Sequence, residues 1–123
     1  MFYLMRQKGG RPDTHSSGTL ILPDGSSRHL TVSLVALRAT ETWKSPRSHA
    51  TYPMGWEIRI PHHRLALTVR PSLPDQELDT RKSTQIIYWE GSVNVTGTYE
   101  GNPVIGHGYV ELTGYAGKFN QRI

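Results

Sequence analysis

The sequence predicts an all-β protein: one antiparallel barrel of about eight short strands, with a long loop across one end. Three observations predict it. Apolar residues recur at alternate positions in several runs of five to eight residues, the spacing of a strand with one buried face. Twelve glycines and eight prolines punctuate the runs, and scarcely any stretch carries the helical period. The chain has 123 residues, enough for one domain with a modest core, taken as residues 1–123.

Met1 to Arg6 is an almost continuously apolar strand without a lead-in, as expected of a strand buried on both faces in the middle of a longer chain. The chain is therefore expected to be a fragment. Gln7 to Ser17 is a polar loop in which His15 is solvated. Gly18 to Leu22 forms a strand that ends at Pro23-Asp24-Gly25, where proline presets the backbone and glycine supplies positive φ. His29 to Leu37 alternates as the return strand, with Leu30, Val32, Leu34 and Ala36 on one side and a half-polar second side. Arg38 to Met54 reads as the longest irregular stretch and carries Trp43, Tyr52 and two prolines. It is expected to cover one end of the barrel, as a functional flap or with Trp43 as a plug.

A hairpin follows, with Trp56, Ile58 and Ile60 facing Val69, Leu67 and Leu65 across a tip at Pro61 to Arg64. His62 and His63 are adjacent at that tip, where neighbours rarely converge on one ion, so no metal is expected. The other face offers Arg59 and Arg70. Pro71 to Thr84 is a polar connection, and the tail from Lys118 is expected to fray.

The most regular stretch is Tyr88 to Gly117, which reads as one long hairpin. If Glu100-Gly101 is a two-residue turn, every cross-strand pair is determined. One face then pairs Trp89 with Leu112, Gly91 with Val110, Val93 with Gly108 and Val95 with Gly106, and is a packing face. The other pairs Tyr88 with Thr113, Glu90 with Glu111, Ser92 with Tyr109 and Asn94 with His107. Directly opposed carboxylates disfavour a strand pair by a few tenths to about 1 kcal/mol. Three arrangements answer this: both splay into water, an Arg or backbone donor sits between them, or one is held protonated in a cavity as a general acid. Glycines within these strands mark bends or close backbone approach. With about eight strands the barrel is of lipocalin-like (calycin) size, able to hold one small ligand.

The net charge of +4 is spread among interspersed signs, and no Lys/Arg stripe alternates with aromatics, which argues against a nucleic-acid surface. Cysteine is absent, which removes disulfides and thiol chemistry. No run has transmembrane length, and Met1 to Met5 is too short for a signal peptide.

Four segments resemble a known family: Tyr52-Pro53-x-x-Trp56-x-Ile58-x-Ile60-Pro61, Asp75-Gln76-Glu77-Leu78, Tyr88-Trp89-Glu90-Gly91, and Gly106-x-Gly108-Tyr109-x-Glu111-Leu112-Thr113-Gly114-Tyr115-Ala116. Their order resembles the C-terminal part of the AttH and carotenoid hydratase (CrtC-like) family, often labelled predicted secreted hydrolases. The resemblance implies two lipocalin-like barrels in the whole protein, with the N-terminal barrel missing here. It also implies a hydrophobic, isoprenoid- or polyketide-like ligand, no cofactor, and a periplasmic or secreted location. The residues usually linked to hydratase chemistry lie upstream of the matched segments.

Two functions follow. In the first, the chain is a binding or structural module that packs on its missing partner barrel, or on a second copy, and helps enclose the ligand. In the second, Glu90 or Glu111 is the acid or base of a hydratase or hydrolase. There, Tyr88, Tyr109 and His107 orient the ligand, and Trp43, Trp56 or Trp89 face a developing cation.

Overall fold

The computed structural model describes residues 1–116, so the tail from Lys118 lies outside the described residues. Its eleven strands are all antiparallel: β1 (Phe2–Tyr3), β2 (Ser17–Ile21), β3 (Ser27–Thr31), β4 (Ala36–Ala39), β5 (Thr42–Lys44), β6 (Thr51–Pro53), β7 (Trp56–Ile60), β8 (Leu65–Pro71), β9 (Glu77–Asp79), β10 (Ile87–Tyr99) and β11 (Asn102–Leu112). The helical segments are two 3-10 turns, Val32–Leu34 and Pro61–His63. No helix among the described residues is long and apolar enough to cross a membrane.

The main sheet has the order β11-β10-β8-β7-β4, with β9 also paired to β10. β1, β2 and β3 form a second sheet, and β5 and β6 a third. The curled sheets make a lipocalin-like half-barrel. Closure is not completed among the described residues, because no strand joins β4 to β11.

The β10–β11 hairpin has the expected register, from Trp89 opposite Leu112 to Tyr99 opposite Asn102. Glu100 (φ 49°) and Gly101 (φ 81°) are both left-handed, the conformation of a two-residue turn whose twist matches the strands it joins. The Glu100 amide also donates to the Arg64 carbonyl at 3.0 Å, tying this tip to that of the neighbouring hairpin. That second hairpin likewise pairs Ile60 with Leu65, Ile58 with Leu67 and Trp56 with Val69.

Two expectations change. His29 to Leu37 is not one strand, because the 3-10 turn Val32–Leu34 divides it between two sheets, β3 pairing β2 and β4 pairing β7. The reason is phase: Leu30 is buried in the first sheet and Leu37 packs on the core of the second, an odd separation that a continuous strand would send to opposite faces. Arg38 to Met54 is not irregular either. It contains the β5–β6 hairpin, in which Trp43 opposes Tyr52.

That hairpin lies on the core. Ala50, Tyr52 and Met54 form one buried cluster with Trp56, Val69, Trp89 and Val93, against which Trp43, Ile58, Val95, Val110 and Leu112 pack. The Trp89 indole N–H donates to the Pro74 carbonyl at 2.7 Å, so the deepest aromatic side chain leaves no polar atom unpaired.

β8 and β9 share one edge of β10 but leave a gap opposite Glu90 to Ser92. Gln76 fills it. Its carboxamide accepts from the Ser92 amide at 2.9 Å and donates to the Ser92 carbonyl at 3.0 Å, as a neighbouring strand's backbone would. This requires a glycine at 91, since a Cβ there would collide with the Gln76 carboxamide. Gly91→Ala is expected to lower the unfolding free energy by about 1–3 kcal/mol in urea titrations. In a Gln76→Ala background the same change should cost less than about 0.5 kcal/mol, because the clash and the bridge are one interaction.

Candidate functional site

The outer face of the β10–β11 hairpin carries the expected polar row. Glu90 stands opposite Glu111, Ser92 opposite Tyr109 and Asn94 opposite His107. Glu111, His107 and Tyr109 are exposed and Glu90 is half-buried. No cation lies within ion-pair distance of either carboxylate among the described residues. Arg70 is instead 3.9 Å from Glu41 and Arg38 is paired with Glu57 at 2.8 Å, while Arg59 makes no ion pair among the described residues. The register explains why: Arg70 opposes Asn94, which places it in the row of His107, about 13 Å along the strand from the Glu90–Glu111 row. Arg59 lies two strands from β10. The donor that reaches the pair is a phenol. Tyr109 donates to Glu90 Oε1 at 2.9 Å, and that bond, with some burial and the carboxylate charge, raises the Tyr109 pKa. His107 Nδ1 is 3.1 Å from Asn94 Oδ1.

The aromatic candidates lie elsewhere. Trp89 is 0% exposed and Trp56 is buried, both inside the core cluster. Trp43 is half-buried and stacks on Tyr52 with ring centroids 6.1 Å apart. Tyr88 is half-buried opposite Leu78 of β9. Trp43 lies on the β5–β6 sheet and the other seven candidates on the two faces of the main sheet, so the eight do not converge. Among the described residues no three His, Asp or Glu side chains gather as metal ligands, and His62 and His63 contact each other edge-on at 5.3 Å.

The most enclosed carboxylate is Glu77 of β9, in the segment read from sequence as a polar connection. Its side chain is 1% exposed. Three hydroxyls donate to it: Ser45 to Oε1 at 2.6 Å, Ser48 to Oε2 at 2.6 Å and Tyr52 to Oε2 at 2.7 Å. Arg47 lies 3.7 Å from Oε1 and forks onto both Asp75 oxygens at 2.6 Å. Burial pushes the Glu77 carboxyl up, but the three hydroxyls and Arg47 outweigh it and hold the pKa below the usual carboxylate range. Burial and the same carboxylate push the Tyr52 phenol far up, so it remains a donor.

The donors come from the β5–β6 hairpin, Ser45 and Ser48 from its turn and Tyr52 from β6. Ser45 Oγ accepts from the amides of Arg47 and Ser48 at 3.1 and 3.2 Å, which folds the turn and aims its own hydroxyl proton at Glu77. Ser-Pro-Arg-Ser hints at such a turn in the sequence, but nothing local says which carboxylate it grips. The arrangement is fully paired and charged, an anchor rather than a poised acid.

The packing face of the sheet opens at the hairpin tips. Leu20, Ile21, Leu22 and Pro23 of the β2–β3 turn region face Leu65, Tyr99 and Val104 across a crevice of about 310 Å³. A second depression of about 490 Å³, beside β4 and β7, is crossed by the Arg38–Glu57 ion pair. Only the first combines an apolar lining with a single phenol.

A family model described as AttH-like matches residues 1–115. The crystal structure of an AttH protein from Nitrosomonas europaea is similar with a TM-score of 0.76 and 35% identity over 91% of this chain. Kievitone hydratase from Nectria haematococca is similar in fold, with a TM-score of 0.71 and 20% identity over 91% of this chain. The chain spans 33% of the length of each. No curated protein matches it.

Because the folded pKa of Glu77 lies below its unfolded value of about 4.3, its contribution is complete above that value and lost as pH falls through the folded pKa. Glu77→Gln should flatten the loss of stability between about pH 5 and pH 3, measured as urea midpoints, relative to the parent. Glu77→Ala, which strands three hydroxyl donors, should cost about 3–5 kcal/mol at pH 7.

Proposed function

The chain belongs to the AttH-like family, and from that premise we propose that it is a lipocalin-like domain supplying one apolar wall of a ligand site, completed by another domain of a longer protein. The observation that carries this reading is the crevice at the hairpin tips, which six apolar residues line together with Tyr99. Ile21 on its rim is 63% exposed, which a covering surface or a ligand would relieve. A lining of this kind suits a hydrophobic ligand with one hydrogen-bonding group, of isoprenoid or polyketide type. Hydration, the activity for which kievitone hydratase is named, is the reaction class proposed for the whole protein, and the shared fold supports it.

The alternative, with Glu90 or Glu111 as acid or base, draws on the Tyr109 hydroxyl held against Glu90. It requires the exposed outer face to be covered.

Farnesol titrated into the methyl-labelled chain distinguishes the two. Saturable shifts at Leu20, Leu65 and Val104, with affinity reduced at least about tenfold (~1.4 kcal/mol) in Ile21→Lys, are expected. Glu111→Gln should leave the affinity within about twofold. Absence of saturable shifts, or shifts centred on Tyr109 and Glu111, would overturn the crevice reading.

A further inference from the structure

β11 is the longest unpaired edge of the fold. It pairs only with β10, and no other strand among the described residues lies against its far side. In a two-residue hairpin the residues flanking the turn, Tyr99 and Asn102, exchange both hydrogen bonds, and the pattern then alternates. Even-numbered residues of β11 therefore bond to β10. The N–H and C=O groups of Ile105, His107, Tyr109 and Glu111 point outward, together with the Pro103 carbonyl. β10 corroborates the phase, since its even-numbered Glu90 and Ser92 use their backbone groups on the opposite side, toward Gln76 and Ser72.

Edge strands are commonly blunted by lysines, prolines, inward charges, bulges or a covering element, and β11 carries one of these, Pro103 beside the hairpin turn. β11 has no lysine or arginine, one acidic residue and an unbroken register over all eleven positions. The large apolar side chains of its outer face are bare: Ile105 is 89% exposed and Tyr109 is 67% exposed.

We propose that this edge pairs with the same edge of a second copy, about a two-fold axis at His107. The sequence of β11 is complementary to itself in that register. Ile105 meets the partner's Tyr109 twice, once on each side of the axis, an aliphatic–aromatic pair of the kind that stabilises antiparallel strands. On the other face Val104 meets the partner's Val110, and Gly106 the partner's Gly108, which continues the apolar packing face from copy to copy. The outward groups of residues 105, 107 and 109 fall into hydrogen-bonded pairs in this register, so each finds a donor or acceptor. Glu111 meets the partner's Pro103, so no like charges oppose each other beside the axis.

The chain contains no cysteine, which makes the register directly readable. His107→Cys should form a disulfide-linked dimer under mild oxidation, because hydrogen-bonded antiparallel partners stand about 5.5 Å apart at Cα, within the bridging range of about 4.4–6.8 Å. Ile105→Cys should not crosslink to itself, since its copy lies about 13 Å away, whereas the Ile105→Cys/Tyr109→Cys double variant should. Sedimentation velocity on the parent chain at about 100 μM should show a dimer, and the fully exposed change Ile105→Lys should weaken dimerisation at least about tenfold. A monomeric parent, which would leave the edge to a strand of another domain or protein, overturns the proposal. So does a dimer indifferent to Ile105→Lys, or self-crosslinking at 105 and not at 107.

Discussion

A carboxylate withdrawn from water must recover its hydrogen bonds inside the protein, and at Glu77 that demand joins segments that no single sheet connects. Glu77 sits on β9, which pairs with β10. Ser45, Ser48 and Tyr52 reach it from the β5–β6 hairpin, which shares no ladder with the main sheet. The hairpin's apolar side chains would pack on Trp89 in many orientations. Three directed hydroxyl bonds select one of them. Packing provides the bulk of the attraction, and the buried anion provides the alignment.

The same division of labour appears along β10. Its ladder to β11 is continuous, but its other edge passes from β8 to β9 across a gap that backbone pairing alone leaves open. Gln76 closes that gap with its side-chain amide, two hydrogen bonds of one carboxamide standing in for a strand. Glycine at 91 is the complement of that substitution. The bend that lets two different strands share one edge also brings the Pro74 carbonyl to the Trp89 indole, so sheet curvature and core burial are coupled.

These constraints divide the molecule into a rigid end and an open end. Around Trp56, Trp89 and Tyr52 the half-barrel is filled and polar groups are paired, which leaves no room for a ligand. At the hairpin tips the apolar face runs out from under its cover, and the lining of the crevice remains in contact with water. That open end is where the proposed ligand site of this AttH-like chain lies. The bare edge of β11 is a separate feature, since a half-barrel must end its main sheet on some strand.

Much of this was legible in the residues. The register of both long hairpins follows from turn chemistry and period two, because a two-residue turn determines every pair beyond it, and Glu100-Gly101 and the Trp56–Val69 pairing behave accordingly. The resemblance carried by Tyr52 to Pro61 and Tyr88 to Ala116 points to the family that the comparisons show. What local pattern did not reveal were the phase change at Val32–Leu34, the short β5, β6 and β9, and the role of Glu77. The phase change depends on a second sheet and the role of Glu77 on partners 25 to 32 residues away, while the short strands have too few residues to display a period. Sequence alternation decided which residues share a face of the sheet. Only the tertiary structure decided which face meets water, because burial belongs to the element that arrives to cover it.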